Sequence, residues 1–103
     1  MMDEVVLVVA DVELDGKRME VRRGKKLIPL TTLEFKLLEY LMRNKNSVVT
    51  RKDLLVKLWQ YSPDIQTRVV DVYIGYLRRK VEGRTEKKLI SSVRGLGYIM
   101  QDE

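Results

Sequence analysis

The segment from Arg68 to Glu82 constrains the fold of this chain more than any other stretch. Read as an α-helix, with about 100° between successive residues, it places four apolar side chains on one narrow stripe: Val70, Ile74, Leu77 and Val81. Such a stripe is typical of a helix that packs on a core. The same geometry puts five residues on the opposite face: Arg68, Val72, Gly75, Tyr76 and Arg79. The sequence therefore predicts an exposed, partly cationic helix face, which is either a solvated surface or a binding surface.

The composition is that of one soluble globular domain, with 103 residues, of which 45% are hydrophobic and 34% charged. Cysteine and histidine are both absent, which removes disulfides, the commonest general base and the commonest zinc ligands. We therefore predict neither an enzyme nor a bound metal, cofactor or small-molecule ligand. No apolar run approaches about 18 residues, and Asp3 and Glu4 lie where a signal peptide would be positively charged. We expect a cytoplasmic protein that does not enter a membrane.

The chain has a net charge of +5, and its basic excess is sharpest around the segment described above and just after it. From Arg68 to Arg94, eight basic residues outnumber three acidic ones. The basic residues are Arg68, Arg78, Arg79, Lys80, Arg84, Lys87, Lys88 and Arg94, and the acidic ones are Asp71, Glu82 and Glu86. A cationic excess around one helix indicates a polyanionic partner, and nucleic acid is the first to consider.

The N-terminal part of the chain alternates short apolar runs with turn residues. The runs are Val5 to Val9, Val12 to Leu14, Met19 to Val21 and Leu27 to Ile28. Asp15-Gly16 and Gly24 mark reversals between them, a pattern typical of a small antiparallel meander. A sheet of this size is not stable alone, so helices must cover one of its faces.

Two capping sequences predict the first two helices. Thr31-x-x-Glu34 precedes apolar residues at helical spacing and predicts a helix over residues 32–44. Thr50-x-x-Asp53 predicts a second helix over residues 51–60, in which the aspartate suits the positive helix N-terminus. After the break at Tyr61 to Asp64, we predict that the third helix begins near residue 64 or 65 and ends at 81 or 82, before Gly83.

The C-terminal residues predict a β-hairpin. Its strands are Lys88 to Val93 and Tyr98 to Met100, joined through Gly95 and Gly97, whose first role is to permit a tight turn. The first few and last three residues are expected to fray. The chain is therefore an α+β domain spanning residues 1–103, with a small N-terminal sheet, three helices and a hairpin. Two helices with a short connection followed by such a hairpin are typical of a winged helix-turn-helix.

The joint order of several motifs between Leu30 and Ile99 resembles the winged-helix output domain of the OmpR/PhoB family of two-component response regulators. The motifs are Leu30-Thr31-x-x-Glu34-Phe35-x-Leu37-Leu38, Val49-Thr50-Arg51-x-x-Leu54-Leu55 with Trp59, Arg68-x-Val70-Asp71-Val72-x-Ile74, Leu77-Arg78-x-Lys80 and Ile90-x-x-Val93-Arg94-Gly95-x-Gly97-Tyr98. The resemblance implies a phosphorylation-controlled transcription regulator that binds double-stranded DNA, as a dimer on tandem half-sites. The receiver domain of such regulators is absent from this chain, which leaves open an isolated output domain or a regulator without that switch.

The geometry of the third helix and the resemblance together give candidate DNA contacts. Four residues on the exposed face are expected to read base edges in the major groove: Arg68, Val72, Tyr76 and Arg79. Five others are expected to contact the DNA backbone: Arg51, Lys52, Tyr73, Arg78 and Lys80. For each of these, simple solvation or packing is the alternative. The resemblance places the hairpin wing at the minor groove, where Arg94 can enter, and implies a contact with RNA polymerase by the loop Tyr61, Ser62, Pro63 and Asp64.

Three residues depart from the family pattern. The family often has basic residues where this chain has Gly75 and Tyr76, and usually histidine where it has Tyr73. Asp71 would repel phosphate, so we predict for it a structural role in a salt bridge to an arginine, such as Arg94 or Arg78. The competing functional hypothesis is a winged-helix module that binds an acidic partner protein with the same face and binds DNA only non-specifically.

Overall fold

A computed structural model describes residues 6–83 and 87–101 of the chain. Four strands come first: β1 (Val6–Val9), β2 (Val12–Asp15), β3 (Glu20–Arg23) and β4 (Lys26–Ile28). They are followed by α1 (Thr32–Arg43), β5 (Val49–Thr50), α2 (Arg51–Leu58), α3 (Val69–Val81), β6 (Ile90–Val93) and β7 (Gly97–Met100). This order confirms the predicted α+β arrangement of a sheet, three helices and a C-terminal hairpin. The predicted fraying ends lie outside the described residues.

The first four strands form the predicted antiparallel meander, in the order β1-β2-β3-β4. Successive side chains of a strand point to opposite faces, so one face of the meander gathers buried residues. Leu14 of β2 pairs with Val21 of β3, which pairs with Ile28 of β4, and all three are buried. This face packs in a common core with the helices, because a four-stranded sheet of this size must be covered on one side.

The capping box predicted for α1 is confirmed. The Thr31 hydroxyl accepts a hydrogen bond from the Glu34 N–H at 3.2 Å, and the Glu34 carboxylate accepts one from the Thr31 N–H at 2.9 Å. The helix ends at Arg43 with Asn44 as its cap. Leu37, Leu38 and Leu41 are fully buried against the sheet and the other helices.

The second helix begins where the sequence predicts, because the Thr50 hydroxyl accepts the Asp53 N–H at 3.1 Å. It ends at Leu58, two residues before the predicted end. The preceding strand β5 pairs with β7, and Thr50 lies opposite Gly97. A Cβ atom on Gly97 would lie 2.0 Å from the Val49 carbonyl oxygen, so only glycine permits this pairing.

The predicted start of α3 near residue 64 or 65 is wrong. The helix begins at Val69, and residues 61–68 form an exposed loop. Positions that a longer helix would turn toward the core, three, four and seven residues before Val70, carry Thr67, Gln66 and Pro63. A longer helix would therefore have no apolar side chain to bury there. Instead the Thr67 hydroxyl accepts the Val69 N–H at 3.2 Å.

The buried stripe of α3 and the hairpin behind it are as predicted. The four stripe residues are buried: Val70, Ile74, Leu77 and Val81. Strands β6 and β7 pair antiparallel with Val93 opposite Gly97, although β6 begins at Ile90 rather than Lys88. Gly95, in the turn, has φ +77°, the left-handed conformation that glycine adopts most easily. Within the described residues, no helix has the length and apolarity needed to cross a membrane.

Candidate nucleic-acid interface

The face of α3 opposite the buried stripe is exposed. We call Arg68, Val72, Gly75, Tyr76 and Arg79 the recognition face. Val72 is 44% exposed and Tyr76 40%, and both arginines are exposed. Val72 is therefore open to solvent, unlike the four buried stripe residues of the same helix. An apolar side chain and two guanidinium groups on one exposed helix face suit contacts with base edges.

Asp71 lies beside the recognition face, but its partner is not the one predicted. Its carboxylate accepts a hydrogen bond from the Arg51 Nε at 2.9 Å and another from the Tyr98 hydroxyl. Arg78 follows Asp71 by seven residues, which along a helix is about 10.5 Å, too far for an ion pair without bending both side chains. The predicted structural salt bridge of Asp71 to an arginine is therefore present, but the arginine is Arg51 and neither of the two suggested as examples.

The cluster of Asp71, Arg51 and Tyr98, which we call the wing clamp, joins α3 to α2 and to the wing. Although partial burial opposes ionisation, the hydrogen bonds from Tyr98 and Arg51 and the Arg51 charge together hold the pKa of Asp71 below its ordinary value. Burial and the bond to Asp71 raise the pKa of the Tyr98 phenol. The Arg51 guanidinium also lies 5.1 Å from the centre of the Tyr98 ring, within the range of a cation–π contact.

Arg78 is engaged by the wing. Its Nε donates to the Ile90 carbonyl oxygen at 3.2 Å, and one Nη donates to the Ser92 hydroxyl at 3.1 Å. Its guanidinium lies 5.6 Å from the centre of the Tyr98 ring. These contacts hold the wing strand β6 against α3, so the position of the wing relative to the recognition face is fixed by side chains of α3.

Lys80 is engaged at the other end of α3. Its Nζ donates to the Glu34 carboxylate at 2.7 Å, and the same carboxylate caps α1. Burial by itself would raise the pKa of Glu34, but hydrogen bonds from Lys80 and the Thr31 N–H, with the Lys80 charge, lower it below its ordinary value. The ion pair ties α1 to α3, so Lys80 already has a structural role.

Tyr73 and Arg79 are linked through the aromatic ring of Tyr76. Tyr73 is half-buried and contacts Trp59 and Tyr76 edge to face, with ring centres 5.5 and 5.4 Å apart. The Arg79 guanidinium lies 5.4 Å from the centre of the Tyr76 ring. The packing predicted as one option for Tyr73 is thus present, while contact of its hydroxyl with DNA stays a prediction.

The remaining candidate residues are exposed. Lys52 is exposed in the first turn of α2, and Arg94 is exposed in the turn of the wing. The four loop residues predicted to contact polymerase are also exposed: Tyr61, Ser62, Pro63 and Asp64. Their exposure is compatible with the predicted contacts and tests none of them. Arg84, counted in the cationic excess, lies outside the described residues.

Two structural residues behind the site were missed by sequence reasoning. Arg23 is buried, donates to Asp11 at 2.9 Å, and also donates to the carbonyl oxygens of Val81 and Lys87 at 3.0 and 2.8 Å. Buried Glu82 accepts the N–H groups of Leu89 and Ile90 at 2.8 and 2.7 Å. Together they anchor the end of α3 and the start of the wing. No local signal identifies them, because their partners are distant or lie in irregular backbone.

The arrangement is a binding surface. No group of residues that could hold a metal ion occurs in the ranges 6–83 and 87–101. A cationic helix face opposite a buried stripe, preceded by a shorter helix and flanked by an anchored hairpin, defines the winged helix-turn-helix class of DNA-binding domains. The family model described as "Transcriptional regulatory protein, C terminal" matches residues 24–100, and the chain belongs to this family. The family is one of DNA-binding transcription regulator domains and not of enzymes.

Known proteins agree with this assignment. The chain is 41% identical over 100 residues to the response regulator MprA of Mycobacterium ulcerans (strain Agy99), which covers 97% of this chain and 43% of the relative. The Klebsiella pneumoniae RstA DNA-binding domain, crystallised with the RstA box, has a TM-score of 0.87 at 28% identity and covers 95% of this chain and 98% of that one. The chain therefore spans less than half the length of the curated relative MprA.

A longer solved structure gives the same result. The response regulator DrrB, an OmpR/PhoB homologue of Thermotoga maritima, has a TM-score of 0.82 at 30% identity. The match covers 93% of this chain and 44% of DrrB. The resemblance to the OmpR/PhoB output domain is confirmed by these comparisons.

Proposed function

We propose that this chain is the output domain of a two-component response regulator and binds specific double-stranded DNA, with α3 in the major groove and the wing at the minor groove. The observation that carries the proposal is that the basic residues of α3 fall into two groups. Arg78 and Lys80 have partners within the protein, whereas Arg68 and Arg79 lie on an exposed face beside an exposed valine. The similarity to a domain crystallised with its DNA box supports the same function.

In this proposal the recognition face reads base edges. Arg68 and Arg79 can each donate two hydrogen bonds to guanine, and Val72 can contact a thymine methyl group. Tyr76 adds an aromatic ring and a hydroxyl. Gly75 lacks a side chain between Val72 and Tyr76, which lets the helix approach the DNA closely.

The backbone contacts position the domain without specifying sequence. Lys52 at the start of α2 is exposed and is the plainest candidate. Arg51 and Arg78 are partly exposed and held in place by the wing, so each can reach a phosphate without further ordering. The remaining proposed contacts are those of Tyr73 and Lys80 with phosphate and of Arg94 with the minor groove.

The remaining proposals follow from the similarity to longer response regulators. We place the action of this domain in the cytoplasm, as a dimer on tandem half-sites under control of a phosphorylated receiver domain. The exposed loop of residues 61–64 is the proposed contact with RNA polymerase. Its exposure and its position between α2 and α3 support this role.

The test is selection of bound duplexes from a randomised pool at two salt concentrations, followed by affinity measurements on the selected sequence. We expect a direct repeat with half-sites about one helical turn apart. Arg79→Ala should lower the preference for the selected base by about 1–3 kcal/mol, while Lys52→Ala should weaken binding evenly on every duplex. Equal losses from both substitutions on every duplex would refute the base-reading role. Salt-sensitive binding without an enriched sequence would favour the protein-interaction alternative.

A further inference from the structure

Three aromatic rings and one guanidinium form a continuous series from the edge of the core to the recognition face. The series, which we call the aromatic ladder, consists of Trp59, Tyr73, Tyr76 and Arg79. Each ring meets the next edge to face, at 74° for the first pair and 66° for the second. These angles and the centre distances of about 5.5 Å lie within the favourable range for aromatic pairs.

The ladder is partly buried at one end and exposed at the other. Trp59 and Tyr73 are partly buried and pack against the hydrophobic core. Tyr76 and Arg79 are exposed. Tyr73, Tyr76 and Arg79 recur every three residues along α3, so neighbouring side chains lie on adjacent turns. The ordered core can therefore limit the motion of Arg79 through two intervening rings.

The type of contact matters for recognition. The neighbouring Lys80 is fixed by an ion pair with Glu34, which uses its charge within the protein. The Arg79 guanidinium lies over the Tyr76 ring, a contact that uses the charge and not the N–H donors, which can still donate to a base. An ordered arginine also loses less side-chain entropy when it binds than a mobile one does.

We propose that Tyr73 and Trp59 are positioning residues for base recognition, which orient Arg79 through Tyr76 without touching a base themselves. This inference rests on the proposed DNA-reading function. It assigns a role to Trp59 and to the Tyr73 ring, in addition to the phosphate contact proposed for the Tyr73 hydroxyl. Sequence preference at the base read by Arg79 then depends on residues that do not face the DNA.

The test compares Tyr73→Leu, which removes the ring, with Tyr73→Phe, which keeps it and removes the hydroxyl. Affinities are measured for the selected duplex and for duplexes altered at the base that Arg79→Ala identifies. We expect Tyr73→Leu to lower the preference about two- to fivefold, the range that corresponds to an exposed cation–π contact. Tyr73→Phe should retain the wild-type preference. Thermal unfolding of each variant shows that the domain remains folded.

A second pair of measurements isolates the route through Arg79. In an Arg79→Ala background, Tyr73→Leu should cause no further loss of preference, since the residue through which it acts is gone. Without DNA, NMR relaxation of the Arg79 Nε should show a restricted side chain in the wild type and in Tyr73→Phe, and a mobile one in Tyr73→Leu. This measurement stands even if the domain has no sequence preference, so failure of the ladder and failure of the proposed function are distinguishable.

Four results would overturn the proposal. They are an unchanged preference in Tyr73→Leu, a uniform loss on all duplexes, a loss in Tyr73→Phe equal to that in Tyr73→Leu, and an Arg79 side chain equally mobile in all three proteins. The third result would show that the Tyr73 hydroxyl, and not its ring, sets the preference. If Tyr73→Leu unfolds, Trp59→Leu, one ring further from Arg79, replaces it, with a smaller loss of preference expected and the same criteria.

Discussion

The flanks and the outer face of α3 hold their charged side chains in different ways. On the flanks, Arg78 and Lys80 are bound to β6 and to Glu34 by hydrogen bonds shorter than 3.3 Å. On the outer face, Arg79 lies over an aromatic ring, a contact that directs the side chain without using its donors. The comparison teaches that counting cations overstates the surface available to a polyanion. Part of the basic excess holds the domain together.

The same comparison separates stability from binding. Substitutions on the buried stripe or in the wing clamp should act mainly on the free energy of unfolding. Substitutions on the recognition face should act mainly on DNA affinity. If substitutions in one group changed both the free energy of unfolding and the DNA affinity, this separation would be wrong.

The largest effect is expected at the buried stripe. Leu77→Ala removes a fully buried side chain and should lower the free energy of unfolding by about 2–5 kcal/mol, because it leaves a cavity in the core. Its neighbour in sequence supplies the control: Tyr76→Ala, on the exposed face, should cost less than about 1 kcal/mol. Urea denaturation at pH 7 measures both. Similar losses in the two variants would show that the outer face also supports the fold.

An intermediate effect is expected in the wing clamp. Asp71→Asn removes the charge that accepts hydrogen bonds from Arg51 and Tyr98 and should cost about 1–3 kcal/mol at neutral pH. Asp71 is only partly buried, so solvent screening favours the lower end of this range. The measurement is urea denaturation, with wing order followed by hydrogen exchange at β6 and β7. Loss of stability without faster exchange in the wing would contradict the clamp.

The contribution of Asp71 to the free energy of unfolding should depend on pH. Its pKa is lower in the folded domain than in the unfolded chain, so the unfolded state binds the proton first as the pH falls. The stabilisation is then complete above the unfolded value of about 3.9 and is lost as the pH falls through the lower folded value. The stability difference between wild type and Asp71→Asn should therefore shrink below about pH 4. A constant difference from pH 7 to pH 3 would show that the charge is not involved.

The smallest effect on the free energy of unfolding is expected at Gly75, where substitution should stabilise the domain and not destabilise it. A Cβ atom there meets nothing within 4 Å, and glycine within a helix costs about 1 kcal/mol relative to alanine. Gly75→Ala should therefore raise the free energy of unfolding by up to that amount. Gly97→Ala is the contrasting control, since its Cβ would collide with the Val49 carbonyl. A fall in DNA affinity of the stabilised Gly75→Ala variant would support close approach of the helix to DNA.

The local parts of the fold were predictable from the sequence. The starts of α1 and α2 follow from Thr31 and Thr50, whose hydroxyl groups cap the third residue after them. The start of α3 was not predictable in this way, because Arg68 at its N-terminus forms no side-chain cap hydrogen bond. The partner of Asp71 was also missed, since Arg51 and Tyr98 lie 20 and 27 residues away along the chain.

The sequence by itself determined which side chains α3 presents outward, because helix geometry fixes side-chain direction from spacing alone. It therefore identified the recognition face of Arg68, Val72, Gly75, Tyr76 and Arg79 and the buried stripe opposite. Only the tertiary structure decided which cations of that helix are engaged within the protein. Lys80 meets Glu34 from 46 residues away, and Arg78 meets β6. Such pairs depend on how separate elements pack, and helical spacing contains no information about that.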